Sequence, residues 1–294
     1  METGLINTHF FWHGPELSLY ERACLQSFVR QGARVNLHTF DARLSVPDGV
    51  IRLDAARFAN LQEVRAYTQN GDVGSIAAFS DVLRYRILAQ LPGWWIDTDV
   101  FCLQSVAKLH ELEQNSPGMI LGVESSRHLN GAVLCITDPS IAQDLTGMAQ
   151  ARGKVFGWGE VGPKLLTTYV QNNQARVKLM NQSTFYPLAM HEIDDVFDPL
   201  LKDHCAALCA GALTIHLWNQ HLHKLRLPKS VLPPAGSFLA ELFAGLPLQV
   251  QSGTSLPIET FARLQTAGRL TRVDRQLLRV ARFLRGLRAR VTGR

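Results

Sequence analysis

Apolar and polar positions along the 294-residue chain change period several times, and each change marks an element. Residues 6–12 read as a first strand. Leu17, Cys24, Leu25 and Phe28 then fall on one face of a helix over residues 17–30, which Gly32 is placed to end. Residues 33–40 alternate in part and read as a second strand. Strand, helix, strand is the opening of a parallel α/β sheet. Residues 41–72 are less regular and predict loops with a short helix. Ile76, Phe79, Val82, Leu83, Ile87 and Leu88 predict a helix over residues 74–91, stopped by Pro92-Gly93. A short apolar strand at 94–96 then runs straight into Asp97-Thr98-Asp99. Further strands are expected at 119–123, 131–137 and 213–218, with a helix over 163–170. Residues 228–234 are loop-like, the remainder is helical, and no internal repeat or low-complexity tract occurs.

Composition narrows this picture. Hydrophobic residues make up 46% and charged residues 19%, ordinary for a globular protein. The length allows one large α/β domain or two small ones. Cys24, Cys102, Cys135, Cys205 and Cys209 are odd in number and irregularly spaced, so they read as reduced thiols of a cytoplasmic protein. The first residues lack a signal peptide's basic patch and apolar run. The longest nearly apolar stretch, residues 205–215, falls short of the roughly 20 residues that span a bilayer.

Charge is unevenly placed. Residues 261–294 hold ten Arg, no Lys and Asp274 as the lone acid, a net +9 against +5 for the chain, so the rest is net −4. Val273, Leu277, Val280, Leu284, Leu287 and Val291 step by four and three, an apolar stripe on a long helix otherwise covered by arginine. Two readings stand: a helix docked on the domain with a solvated basic face, or an interfacial helix on an anionic membrane. Nucleic-acid binding is disfavoured because Phe283 is the one aromatic residue among the arginines.

The chemistry concentrates at Asp97 and Asp99. Two carboxylates at i and i+2 after a buried strand are expected to point the same way, into the crevice at the strand's C-terminal end. Their mutual repulsion is costly unless a divalent cation removes it. Hard oxygen ligands suit Mg²⁺ or Mn²⁺, which keep positions open for phosphate oxygens. A diphosphate held there becomes a better leaving group. Two other readings remain: a plain turn or helix cap, and the nucleophile loop of an aspartate-dependent phosphatase. The latter wants Thr or Val two places after its second Asp, where Phe101 stands.

Ala78-Phe79-Ser80-Asp81-Val82-Leu83-Arg84-Tyr85-Arg86-Ile87-Leu88, followed by Pro92 to Val100, closely resembles the DXD region of glycosyltransferase family 32. Leu91-Pro92-Gly93-Trp94-Trp95 departs mildly from the family's usual turn. Phe10 to Ser18 resembles the opening strand and W-x-G-x-x-L-S turn. Leu129-Asn130-Gly131-Ala132-Val133-Leu134 resembles the strand after the metal site. Gly162-Pro163-Lys164-Leu165-Leu166-Thr167, Phe185-Tyr186-Pro187 and His216-Leu217-Trp218-Asn219 resemble G-P-x-L-L-T, F-Y-P and H-x-W-N elements of the α-1,4-galactosyltransferase group. Seven short motifs stand in order between residues 8 and 220.

The resemblance implies a GT-A-type α/β fold with a mixed, mainly parallel sheet flanked by helices. It also implies metal-assisted transfer from a nucleotide-sugar, a UDP-sugar by preference, with retention at the anomeric carbon. Asp99 is then the principal metal ligand, Asp97 serves the metal or the donor, and His216 is a candidate third ligand. Asp81 and Arg84 hold the donor sugar and its phosphate side. Otherwise they are a helix-surface ion pair. Trp12, flanked by Phe11 and His13, lies beside the base, or in the core. Asn130 with Gly131 and Thr98 borders the donor sugar, or Asn130 is a turn residue. Glu160 is a candidate base at the acceptor, or a helix-start acid favoured by the dipole. His221 and His223 read as exposed loop residues.

The expected organisation is a catalytic domain over residues 1–235 and an Arg-rich helical extension over 236–294. The implied partners are a nucleotide-sugar, a glycan or lipid-linked acceptor and, through the extension, the anionic inner face of a membrane. Without a membrane anchor, a bacterial cytoplasmic enzyme is expected. A non-catalytic nucleotide-sugar-binding paralogue is the main alternative, and the phosphatase a weaker one.

Overall fold

The computed structural model describes residues 6–125, 128–248 and 254–268. The arginine-rich stripe and the interfacial helix expected beyond residue 268 lie outside the described residues.

A seven-stranded sheet runs through the molecule in the spatial order Val177–Met180, Met119–Ser125, His128–Ile136, Gly93–Ile96, Asn7–Phe11, Arg34–Thr39, Val50–Asp54. Every neighbouring pair is parallel except the two made by His128–Ile136, which runs antiparallel to both its neighbours. The expected mixed, mainly parallel sheet flanked by helices is the one observed.

Alternation along the central strands divides the core between two faces. Phe11, Trp95 and Leu134 face the Ile76–Gln90, Pro139–Ala151 and Pro163–Asn172 helices. Phe10, Trp94, Ile96 and Val133 face the Leu19–Arg30 and Ala107–Gln114 helices. Trp94 and Trp95, adjacent in sequence, are thus both buried, on opposite faces. A large side chain buried this fully contributes about 1.5–3 kcal/mol. The Pro92-Gly93 stop has a steric reason. Gly93 sits at φ 143, and a Cβ there would meet the Asn7 carbonyl oxygen at 2.8 Å.

A third core cluster lies at the C-terminal side. Phe243, on the Phe238–Ala244 helix, packs edge-on to Tyr20 at 5.2 Å and stacks with Phe101 at 6.2 Å. Phe261, in the helical stretch 258–268, stacks on Phe197 at 4.8 Å.

The elements differ from expectation in several places, among them the edge strand Val177–Met180, which was not expected. Residues 41–72 hold a third parallel strand, Val50–Asp54, as well as the expected short helix, Leu61–Ala66. Helices Ala107–Gln114 and Pro139–Ala151 fill gaps left open in the sequence. The late strand is shorter than expected. Thr214–His216 pairs antiparallel with Val100–Cys102 in a separate two-stranded sheet. His221 and His223 lie on the helix Asn219–Lys224 that follows, not in a loop. His223 is exposed as expected, but His221 is buried, with Nε2 2.7 Å from Asp194 Oδ1. The five cysteines are all buried free thiols. Among the described residues no helix is long and apolar enough to cross a membrane.

Candidate metal and donor site

Asp97 and Asp99 lie just past the end of Gly93–Ile96, in a turn closed by the Val100 N–H donating to the Asp97 carbonyl at 3.1 Å. Their alignment therefore does not come from strand alternation. Separate elements hold the two carboxylates. Asp97 Oδ1 accepts from the Trp95 indole N–H at 2.7 Å and from Arg84 Nη2 at 3.3 Å. Asp99 Oδ2 accepts the Asn219 backbone N–H at 2.7 Å and lies 3.2 Å from His216 Nε2. The register of the small sheet brings His216 there, because it pairs with Val100 while the Leu217 N–H donates to the Asp99 carbonyl at 2.8 Å.

One ligand atom from each of Asp97, Asp99 and His216 lies within 4.8 Å of the others. Their side chains are 29%, 13% and 8% exposed, so the cluster opens toward solvent on the Asp97 side. Two carboxylates and an imidazole are a donor set that a divalent first-row cation satisfies. The residues therefore fit the metal that the sequence implied.

Without a cation, Asp99 and His216 serve each other. Burial pushes the Asp99 carboxyl up, but the His216 charge, its hydrogen bond and the Asn219 N–H more than offset this and hold it below its ordinary value. Burial lowers the His216 imidazole, and Asp99 outweighs that to raise it. The ring lies tilted against Trp218, their centroids 4.1 Å apart. Its Nδ1 is buried without a partner among the described residues.

Behind Asp97 stands Arg84, 5% exposed on the Ile76–Gln90 helix. Nη2 reaches Asp81 Oδ1 at 2.8 Å as well as Asp97, and Nη1 donates to the Gly131 carbonyl at 2.5 Å. The guanidinium lies over the Trp95 ring, 5.2 Å from its centroid. The pair is thus not a surface ion pair. Its fork is turned into the protein, where it braces Asp81, Asp97 and one strand together. Burial raises the Asp81 carboxyl, Arg84 lowers it, Asp97 raises it again, and it settles at about 6.

Gly131 lies in a bulge. Leu121 pairs with Leu134, but Gly122 pairs with Asn130, so residues 131–133 bow out of the ladder. The freed groups are each taken up. The Gly131 carbonyl meets Arg84, the Ala132 carbonyl accepts from Asp97 N–H at 2.8 Å, and the Val133 N–H donates to the Tyr186 hydroxyl at 3.0 Å. Asn130 is 9% exposed; Oδ1 accepts from Ala132 N–H at 2.7 Å and Nδ2 donates to Glu124 at 2.9 Å. Its side chain shapes the bulge from inside.

The remaining candidates lie in the same turn or on neighbouring segments. Thr98 is half-buried in the Asp97–Asp99 turn. Glu160 is half-buried in the turn before the Pro163–Asn172 helix, two residues ahead of Gly162, against which Asp81 packs. Phe11 is core, tilted against Phe79 at 5.6 Å. Trp12 ends the first strand half-buried, its N–H donating to the His38 carbonyl and its indole Nε1 unpartnered among the described residues. His13 is exposed and lines a 350 Å³ cavity with Thr39, Phe40 and Asp41. Sequence reasoning gave Trp95, Tyr186 and Asn219 no role in the centre, although each stands in a segment it had marked: the strand before Asp97, F-Y-P and H-x-W-N.

Residues 156–232 match the family model described as the alpha 1,4-glycosyltransferase conserved region, which bears out the resemblance read from the motifs. No curated protein matches the chain. Solved structures similar to it include the PaToxG glycosyltransferase, at 14% identity and TM-score 0.40, over 58% of this chain and 70% of that one. The glycosyltransferase GlyE of Streptococcus pneumoniae TIGR4 is similar at 13% identity and TM-score 0.43, over 74% of this chain but 56% of its own. Mouse xyloside xylosyltransferase 1 in its apo form is similar at 14% identity and TM-score 0.36, over 61% of this chain and 86% of its own. The family match supports sugar transfer.

Proposed function

We propose that the protein is a metal-dependent, retaining glycosyltransferase that moves a sugar from a nucleotide-sugar, a UDP-sugar by preference, to a glycan or glycolipid hydroxyl. The observation that carries this reading is the convergence of Asp97, Asp99 and His216 beside the Asp81–Arg84 brace, at the C-terminal end of the central strands. Asp97, Asp99 and His216 hold Mn²⁺ or Mg²⁺. When bound, the cation neutralises the charge that develops on the leaving diphosphate.

The protein's own residues do the rest. Asp81 offers a carboxylate toward donor sugar hydroxyls, and Arg84 fixes its direction from behind. Asn130 and Gly131 form the wall beside the sugar. The Trp12 ring and His13, just past the first strand, lie beside the base. Glu160 approaches from the acceptor side, where a carboxylate suits proton removal from a hydroxyl. Residues 1–235 form the catalytic unit, and residues 236–294 form an extension whose first helix docks on it through Phe243. The setting is a bacterial cytoplasm, with the arginine-rich end meeting an anionic membrane face.

The test is hydrolysis of nucleotide-sugars. Mn²⁺-stimulated release of sugar from a UDP-sugar is expected, abolished in Asp99→Asn. No binding and no turnover across a panel of UDP- and GDP-sugars with Mn²⁺ would refute the proposal. Thermal stabilisation by donor without turnover would mark a binding paralogue instead. Phosphate release from a simple aryl phosphate would mark a phosphatase.

A further inference from the structure

Asp99 is held from behind by a network that plays no part in the chemistry above. Its Oδ2 accepts the backbone N–H of Asn219. That N–H is aimed twice over. Trp218, immediately before it, adopts φ 54, ψ 59, a left-handed conformation uncommon for a bulky residue and costing about 1–3 kcal/mol. The Asn219 side chain is then pinned at both ends: Nδ2 donates to Glu21 Oε1 at 2.8 Å, and Oδ1 accepts from Lys229 Nζ at 3.1 Å. Lys229 also pairs directly with Glu21 Oε1.

Glu21 is 1% exposed. Its other oxygen accepts the Ser18 N–H at 3.0 Å, and the Lys229 carbonyl accepts the Leu19 N–H at 3.1 Å. Two segments remote in sequence, Ser18–Glu21 and Asn219–Lys229, are thereby tied together behind one carboxylate.

A buried ion pair is a weak stability device, because desolvation offsets most of its attraction. What this pair does supply is a fixed position for the amide between its two charges. The Asn219 N–H is also a contact that a cation does not compete for, since it donates and cannot ligate. His216, by contrast, must offer a ring nitrogen to either Asp99 or the ion.

We infer that Glu21, Lys229 and Asn219 form a positioning clamp that fixes the Asp99 carboxylate and so sets the cation affinity of the Asp97–Asp99–His216 cluster. The inference rests on the metal reading of that cluster. None of the three touches the cation or the donor; they act through Asp99.

Removing an outer partner of a metal ligand typically costs 10–100-fold in affinity. The experiment is titration of the full-length protein with Mn²⁺ alone, following free ion by electron paramagnetic resonance, alongside circular dichroism and melting temperature. Asn219→Ala is expected to weaken Mn²⁺ by about 10-fold or more. Lys229→Met is expected to weaken it measurably, and Lys229→Arg to keep most of the affinity. Lys229 is the more exposed partner, so its variants decide the matter if Asn219→Ala does not fold.

A purely structural network lowers the melting temperature and leaves the Mn²⁺ Kd of the folded variants unchanged. A Kd for Lys229→Met and folded Asn219→Ala equal to that of the unaltered protein overturns the clamp. No Mn²⁺ binding by the unaltered protein overturns the metal reading, and the clamp with it.

Discussion

The Tyr186 hydroxyl stands between Asn130 and Val133, donating to the Asn130 carbonyl at 3.1 Å and accepting the Val133 N–H at 3.0 Å. It replaces ladder bonds that the bulge has broken. The ring gains its place because Gly122 has no side chain: a Cβ there would fall 2.9 Å from Phe185 Cδ2 and would also collide with the Tyr186 ring. The F-Y-P motif is thus a strut under the strand that carries Asn130 and Gly131.

Tyr186→Phe follows from this. It leaves a buried N–H and a buried carbonyl without a partner, at a cost of about 1–3 kcal/mol. The bulge is then free to shift, and both the Ala132 carbonyl, which holds Asp97 N–H, and the Gly131 carbonyl, which holds Arg84, shift with it. Urea unfolding should show the stability loss. Donor hydrolysis should fall by about 10-fold or more in the folded variant. Normal kcat/KM with the expected stability loss would confine Tyr186 to a structural role.

The Asp81 carboxylate packs against Gly162, where a Cβ would lie 2.9 Å from Asp81 Cγ and collide with Oδ2. Gly162→Ala should therefore push Asp81 off Arg84. The helix beginning at Pro163 is otherwise undisturbed, so the protein is expected to fold. The predicted defect is in use of the donor sugar, read as a rise in KM of about 10-fold in steady-state hydrolysis, with Mn²⁺ affinity unchanged. A variant with normal KM would show that Asp81 does not contact the donor.

Much of this was legible in the chain. The opening strand, helix and strand, the helix bearing Asp81 and Arg84, and the strand leading to Asp97 are all local patterns, and local patterns survive in a sequence. Val50–Asp54 escaped because it is the sheet's edge, where three of five residues are exposed and no apolar alternation is required. The direction of the Arg84 fork escaped for another reason. Three and four residues along a helix give neighbours, but only the bulge at Gly131, 47 residues away, shows that the pair faces inward. The clamp reaches Asp99 from Asn219, and Glu21 from Asn219 and Lys229, across 120 to 208 positions, a separation at which no periodicity speaks. His221 looked exposed because a loop was expected where a helix turns it inward against Asp194.

The arginine-rich end is argued from sequence alone. One apolar stripe surrounded by ten arginines suits an anionic surface. Deletion of residues 270–294 is expected to abolish binding to vesicles containing anionic lipid while hydrolysis of soluble donor persists. Vesicle binding that survives truncation refutes the interfacial reading.

The pH dependence of stability has a definite sign at Asp81. Its carboxyl is raised from 3.8 to about 6, first by burial, with Arg84 offsetting part of this and Asp97 adding to it. Below pH 3.8 the group is protonated in both folded and unfolded chains. Between 3.8 and about 6 the folded chain keeps the proton and the unfolded chain loses it, so rising pH removes stability. Above about 6 the loss is complete, at most about 3 kcal/mol. Asp81→Asn, which cannot ionise, should lack this component. The melting-temperature difference between the variant and the unaltered protein should therefore shift in the variant's favour between pH 4 and pH 7.5, measured without metal, while donor hydrolysis is lost. A difference that does not change with pH would show that Arg84 fully compensates the Asp81 charge. The carboxylate would then be held ready for a donor hydroxyl at no cost to the fold.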